Sequence, residues 1–598
     1  MKMFPGVFGK GILLATLFSI FSAEGRVFNV TNTIDTTDVT SLRGAIIAAN
    51  RLGGNNTILL QPKTYQLSIT GPDETNCYTG DLDITRGYLT IVSVNGNATI
   101  NASGLKDRVF SVFTNDTLTL SHLVITGGVA GGNFQGFAGE PGGAIYNSGR
   151  LTLDNCIITG NSGGSGGDYS GNGGDGGGIY NLGSLNISRC VIANNSCGNG
   201  SYGGGAADGG GIYNAGNTFM TDCMIVANSA GIGGGAGANG IGPNGGDGGG
   251  IYNSGIMVLN ECVVSNNFNG NGNGGGQSLY SYDFGQGGDG GNGGNGGGIY
   301  NAGELGLYFC TVSCNSGGNG GTGGGFFSPA GNGGEGGNGG GIFNSGGLNI
   351  NNCTISENVS GNGGMGGRAY GNGLGNGGNG GDGGAVYNIG SLKLTSCTIV
   401  LNLTGVGGNG GNSVFAGSGA SGGSGGNGGG LFNGLSNERG AIIRNTLIAL
   451  NLINVGGQGG INKDYSDGFN GPFTQQTGNI GGLGSGPDLS GNFTSQRFNL
   501  IGMADDSTGF TNGLNADQVG SIANPIGPRI GPLQMNGGPT PTHALLPGSP
   551  AIDHGNSFSV YMDQRGFRRP YNYLSIPNVP GGDGSDIGAF ELQPILRR

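Results

Sequence analysis

Three charged residues occupy one recurring position of this sequence: Arg189, Asp222 and Glu261 each stand immediately before a cysteine. A basic group beside two carboxylates is an enzyme-like constellation, able to combine cation binding with acid–base chemistry. Asp175, Asp208, Asp247 and Asp382 share a second position with Asn295, Asn338 and Asn427, among paired glycines, a setting that suggests calcium. Ten cysteines offer thiols for bridges or a metal. Each feature also has a plainer explanation. The neighbours of the charged trio in the same column (Asn155, Phe309, Asn352 and Ser396) extend no charge pattern, and an exposed charge ladder contributes little. No catalytic residue is therefore assigned, the trio standing as the candidates. Calcium repeats of the glycine-rich kind place aspartate after the glycines, whereas here it precedes them and alternates with neutral asparagine. The expected cofactor is none, with calcium the alternative. His122, His543 and His554 do not gather near a serine or cysteine nucleophile in the sequence, and no phosphate loop, zinc spacing or dinucleotide fingerprint is present.

The elements that must position these residues follow from a repeat. The string Gly-Gly-x-apolar-aromatic-Asn recurs with its aromatic at Tyr146, Tyr180, Tyr213, Tyr252, Tyr300, Phe343, Tyr387 and Phe432. In seven copies a cysteine follows the asparagine at a fixed distance (Cys156, Cys190, Cys223, Cys262, Cys310, Cys353, Cys397), and a second asparagine follows the cysteine (Asn161 to Asn402). Between these anchors apolar residues alternate, as at Leu151 and Leu153, then shift parity and alternate again from Cys156 to Ile158. Period two means strand, and the shift means a corner. Short strands with one apolar face bury it by stacking into a solenoid, so the spacing predicts a parallel β-helix with coils about 4.8 Å apart. Ten to twelve coils would make a rod on the order of 50–60 Å long.

That spacing sets expectations for the columns. Stacked cysteines about 4.8 Å apart lie outside bridging geometry and should be buried as small apolar thiols. Cys77, Cys197 and Cys314 lie off the column, and a bridge involving one of them stays open. Asparagines at coil corners should satisfy turn groups that no strand ladder reaches. A capping helix is expected over Thr40–Asn50. The variable inserts, such as 285–298 and 317–325, are either flexible loops or extended polyglycine-II-like ribs.

Composition narrows the class. Glycine supplies 147 of 598 residues, tryptophan is absent, and only 10% of residues are charged. A net charge of −12 disfavours nucleic acid and anionic membrane as partners. Residues 1–25 read as a signal peptide, a basic start before a short apolar run, so the expected location is secreted or at the cell surface, with no transmembrane segment after cleavage. The remaining organisation is an N-terminal cap and first coils (26–141), glycine-rich repeats (142–451), irregular terminal coils (452–529) and a turn-rich C-terminal domain (530–598).

Two stretches carry a resemblance. Ser41-Leu42-Arg43 through Ala45-Ile46, with Thr40 at the usual cysteine and Gly44 at the usual glutamate, resembles the CSLREA-type module of bacterial secreted β-helix proteins. Asn536-Gly537-Gly538-Pro539, Gly548-Ser549-Pro550-Ala551-Ile552-Asp553, Asp563-Gln564-Arg565-Gly566 and Asp586-Ile587-Gly588-Ala589-Phe590-Glu591 resemble the choice-of-anchor Q domain of surface and secreted bacterial proteins. The resemblance implies an all-β fold, a right-handed, pectin-lyase-like parallel β-helix, exported and often surface-displayed. The expected function is structural or adhesive, presenting glycine-rich inserts to extracellular glycans or envelope components. The alternative is polysaccharide binding or cleavage on a strand face. An enzyme of this kind would be a polysaccharide lyase or glycoside hydrolase, since lyases of this fold use acidic calcium ligands and a basic residue.

Overall fold

The computed structural model describes residues 25–71, 74–131, 137–277, 286–325, 329–369, 373–413, 419–435, 440–461 and 477–594; the expected signal peptide lies outside them apart from Gly25. Three parallel sheets of 13, 12 and 13 strands run the length of the rod, and each coil contributes one strand to each. In one coil Ile145–Asn147 enters the second sheet, Arg150–Asp154 the first and Ile157–Thr159 the third. Equivalent residues pair in register, Ile145 with Ile179, Leu151 with Leu185 and Ile158 with Ile192. The inward members of these alternating strands, including Leu151, Leu153, Ile158 and Ile179, are fully buried. The chain is a right-handed parallel β-helix.

The parity shift has a single-residue cause. The corner between first and third sheets is one left-handed residue per coil: Asn155 at φ 48°, Arg189 at 51°, Asp222 at 52° and Glu261 at 52°. A non-glycine residue there resists the conformation. Nine successive coils from His122 to Asn445 nevertheless adopt it, so the stacked ladders on either side dictate it. The corner before the second sheet is tighter and takes glycine throughout the repeats: a Cβ at Gly296, φ 68°, would stand 2.4 Å from the Ile299 carbonyl oxygen.

The N-terminal end is covered. The helix Leu42–Leu52 is capped by Ser41, whose Oγ accepts from the Gly44 amide at 3.2 Å. The cap therefore falls one residue later than expected and the helix begins two residues inside the expected stretch, with Thr40 bonded instead to Asp38. Its Arg43 is buried against Asp35 at 2.7 Å and the Gly80 carbonyl at 2.8 Å, fixing the cap on the first coils. At the other end, short strands such as Leu489–Asn492 and Gln518–Val519 continue the sheets beyond the glycine-rich repeats. The C-terminal segment then folds back along the outer face of the third sheet. Thr311 Oγ1 donates to the Pro541 carbonyl at 2.7 Å, Gln564 Nε2 donates to the Cys310 carbonyl at 3.1 Å, and the Ala589 amide donates to Thr398 Oγ1 at 3.0 Å.

Candidate functional site

The glycine inserts form the largest feature outside the rod. From Asn315 the chain runs outward through Gly317–Gly325 and returns through Gly331–Gly339. The outgoing amides of Gly317, Gly320 and Gly323 donate to carbonyls of Val359, Asn362 and Met365 in the next insert at 2.8–2.9 Å. Those of Gly318, Gly321 and Gly324 donate to Gly294, Gly291 and Gly288 in the returning arm of the preceding insert at 2.7–3.0 Å. Returning Gly331, Gly334 and Gly337 donate to Gly324, Gly321 and Gly318 at 2.8 Å. A pattern that repeats every third residue is the polyglycine-II helix, three residues per turn. The described parts of the inserts are therefore ordered ribs, packed as a two-layered slab beside the β-helix. Two of every three positions face another backbone: a Cβ on Gly364 would lie 1.9 Å from the Gly321 oxygen. The third position faces outward and carries the side chains, and there asparagine links the ribs, the Asn362 amide donating to Asn319 Oδ1 at 2.9 Å.

The expected calcium residues belong to this slab. The amide of Asp208 donates to Asp175 Oδ1 at 2.8 Å, Asp247 to Asp208 at 2.8 Å and Asn295 to Asp247 at 2.6 Å. Asp382 accepts from Asn427 at 2.6 Å in the same way. Each carboxylate is thus an acceptor in a backbone ladder, a role neutral asparagine fills equally well. Burial pushes Asp247 and Asp382 up to about 6, and burial together with the facing Asp247 holds Asp208 well above the usual carboxylate range. Among the described residues no three His, Cys, Asp or Glu side chains gather as metal ligands.

Arg189, Asp222 and Glu261 sit on the left-handed corner column and do not converge. Arg189 turns back to pair with Asp154 of the preceding coil rather than forward to Asp222. The column cysteines are buried, with the Cys156 amide donating to Cys190 Sγ at 3.2 Å and Cys310 to Cys353 at 3.2 Å. All ten thiols are unbridged, and the three off-column ones have local partners: the Asp83 amide for Cys77, the Asp208 carbonyl for Cys197 and Glu357 for Cys314. Both asparagine columns form continuous amide ladders. Asn267 Nδ2 donates to Asn315 Oδ1 at 2.9 Å, and Asn253 Nδ2 donates to Asn301 Oδ1 at 2.8 Å. The first ladder ends on Asp488, whose Oδ1 accepts from Asn451 at 2.8 Å and which burial pushes up to about 7.

Two features were not anticipated from sequence. The anchor aromatics from Tyr146 to Phe432 stack face to face, centroids 4.7–5.5 Å apart and planes within 16°. Their faces are occupied by one another, so only ring edges are free to meet a ligand. The second is a notch of about 430 Å³ on the outer face of the first sheet, lined by Glu304, Tyr308, Asn349 and Lys393. It exists because Gly306 leaves a gap in a row that Val258 and Asn349 continue, and the Tyr308 ring leans into that gap. A glycine inside a strand was the available signal.

The class that this geometry defines is a parallel β-helix bearing a rib slab along one edge. No protein-family model matches the chain, and neither does any curated protein. Among solved structures, pectate lyase Pel9A is similar at 13% identity and a TM-score of 0.32, over 95% of this chain and 96% of that one. Tailspike protein 3 of bacteriophage CBA120 is similar at 12% identity and a TM-score of 0.26, over 76% of this chain and 60% of that one. Both are likenesses of fold and nothing finer.

Proposed function

We propose that the chain is a structural, adhesive element acting outside the cell or at its surface, a rigid rod that presents a glycine-rib slab to extracellular glycans or envelope components. The observation that carries this reading is the continuous hydrogen bonding of the ribs, which holds successive outward side chains about one strand spacing apart. A flexible insert would give up conformational freedom on binding, whereas a preorganised slab has already met that entropic cost during folding. The signal-like N-terminus and the C-terminal resemblance support the location. Retention of the purified chain on cell-envelope preparations tests it. The wild type is expected to be retained, and a Gly364→Ala variant, with its slab disrupted, to wash off. Equal retention of both overturns the reading.

A second reading, polysaccharide binding or cleavage on a strand face, is favoured by the Gly306 notch, where a carboxylate, an amine, an amide and a ring meet on one surface. Turnover of a glycan or polyuronate by the wild type, lost in Lys393→Ala but kept in Arg189→Ala, would select it.

A further inference from the structure

The outer face of the third sheet changes character along the rod. Where the C-terminal segment lies on it, the first outward residue of each strand is a threonine bonded to that cover. Thr311 Oγ1 donates to the Pro541 carbonyl at 2.7 Å, Thr354 Oγ1 donates to Gln564 Oε1 at 2.6 Å, and Thr398 Oγ1 accepts from the Ala589 amide at 3.0 Å. Towards the N-terminus the same column, paired in register, reads Val263, Met224, Val191, Ile157 and Val124. Met224 is 45% exposed and the other four are half-buried. Water would select the reverse order, polar where the face is open and apolar where it is covered. The first sheet shows the ordinary choice: in the coils of Val124, Ile157 and Val191 its outer face carries Thr119, Thr152 and Asn186. Apolar side chains scattered singly on a surface are normal, whereas a contiguous apolar row marks an interface. We infer that this stripe is the contact face of a two-fold dimer, in which a second copy of the chain packs antiparallel against it. The inference goes beyond the adhesive reading and does not depend on it.

The shape of the open face selects a second copy and its direction. The face is seven coils long, from the coil of Thr64 at the N-terminal end of the rod to that of Val263. It stops at a step made by the C-terminal segment, whose foremost hydrogen bonds reach Phe309, Cys310 and Thr311. A copy packed parallel and face to face would set one C-terminal segment against the other and hold the open faces apart. An antiparallel copy avoids this. A two-fold axis through the middle coil, that of Ile157, brings each N-terminal rod end up to the other's step and lays open face on open face. The contact is then isologous, the commonest arrangement among soluble oligomers.

The residues that meet across this axis are compatible. Ile157 faces itself, Val124 faces Val191, and Met224 and Val263 face the coils of Thr99 and Thr64. Asp222 and Glu261 stand at the corner beside the stripe and form no ion pair among the described residues. Lys63 lies in the coil that falls opposite Glu261. Seven coils at one strand spacing and the width of a sheet with its corner make a face of about 34 Å by about 15 Å. That is about 500 Å² on each copy and about 1,000 Å² in all, the lower bound of a specific interface, so the dimer should be a weak one.

Sedimentation equilibrium of the full chain tests the inference. Between about 1 and 100 μM the wild type should pass from the mass of one chain to that of two. Ile157→Glu, which sets two carboxylates on the axis, and Val191→Glu should each stay at the mass of one chain. Both positions point outward, so both variants should fold, as melting will show. Phe219→Glu, on the outer face of the first sheet, should associate as the wild type does. A short bismaleimide reads the direction. It should join two copies of Ile157→Cys and fail with Val263→Cys, whose thiols lie at opposite ends of the contact; the wild type, with its own cysteines buried or half-buried, is the background. A single-chain mass at every concentration leaves the stripe to another partner and overturns the inference. Association unmoved by both glutamates, or equal cross-linking at the two cysteine variants, overturns it as well.

Discussion

The β-helix and the rib slab are built from the same coils yet obey opposite packing rules. In the β-helix the backbone lies outside and side chains fill the interior, so any apolar residue of suitable volume serves, as Leu259, Leu307 and Ile350 do in one stack. In the slab the backbones themselves are the interior, and the stabilising groups are amides and carbonyls at 2.7–3.0 Å. One region is held by burial of apolar surface. The other is held by hydrogen bonds between glycines that have given up the most conformational freedom of any residue. The β-helix therefore tolerates sequence change by volume, while the slab beyond its root tolerates it chiefly at every third position.

A single methyl group breaks the comparison most sharply. Gly364→Ala places a Cβ 1.9 Å from the Gly321 oxygen and should cost more than about 3 kcal/mol or unfold the slab locally. Removing one methyl from the β-helix by Ile350→Val should cost only about 0.5–1.5 kcal/mol. Urea unfolding of the two variants measures both; equal costs would mean that the slab is not close-packed. The asparagine ladder comes next in size. Asn267→Ala leaves the Asn228 amide and carboxamide without their shared acceptor at 3.0 and 3.1 Å, an expected loss of about 2–4 kcal/mol in the same assay.

A smaller effect than that of the asparagine ladder lies in the aspartate column and depends on pH. Burial raises Asp247 from 3.8 to about 6 in the folded chain, so its protonated form stabilises the fold. That contribution is complete below the unfolded value, near pH 4, and is lost as pH rises through about 6. Asp247→Asn removes the loss, raising stability at pH 7 by on the order of 1–2 kcal/mol and leaving stability at pH 4 unchanged. Calcium and chelator should leave the melting temperature alike, because the carboxylates already accept backbone amides; a calcium-dependent rise would restore the metal alternative.

Much of the β-helix was legible in the sequence because its code is local. Alternation at Leu151 and Leu153, the fixed step to Cys156 and the recurrent asparagines each follow from the geometry of one coil. The slab was legible only as two alternatives, since glycine carries no side chain to show which backbone it meets. The answer lay in contacts between inserts more than 40 residues apart, such as Gly320 to Asn362. The charged trio was legible only in part for a related reason: sequence placed Arg189, Asp222 and Glu261 in one column, but not the left-handed backbone there, nor the pairing of Arg189 with Asp154. The Gly306 notch left only a faint signal, a glycine inside a strand, because it is defined by what successive coils leave empty.

The central claim is that the glycine inserts are ordered ribs, and amide hydrogen exchange tests it most directly. The amides of Gly318, Gly321, Gly324 and Gly334, each bonded to another rib, should exchange as slowly as those of the strand Glu304–Tyr308. Exchange of these glycines at the rate of an unprotected chain, while the strand stays protected, would contradict it.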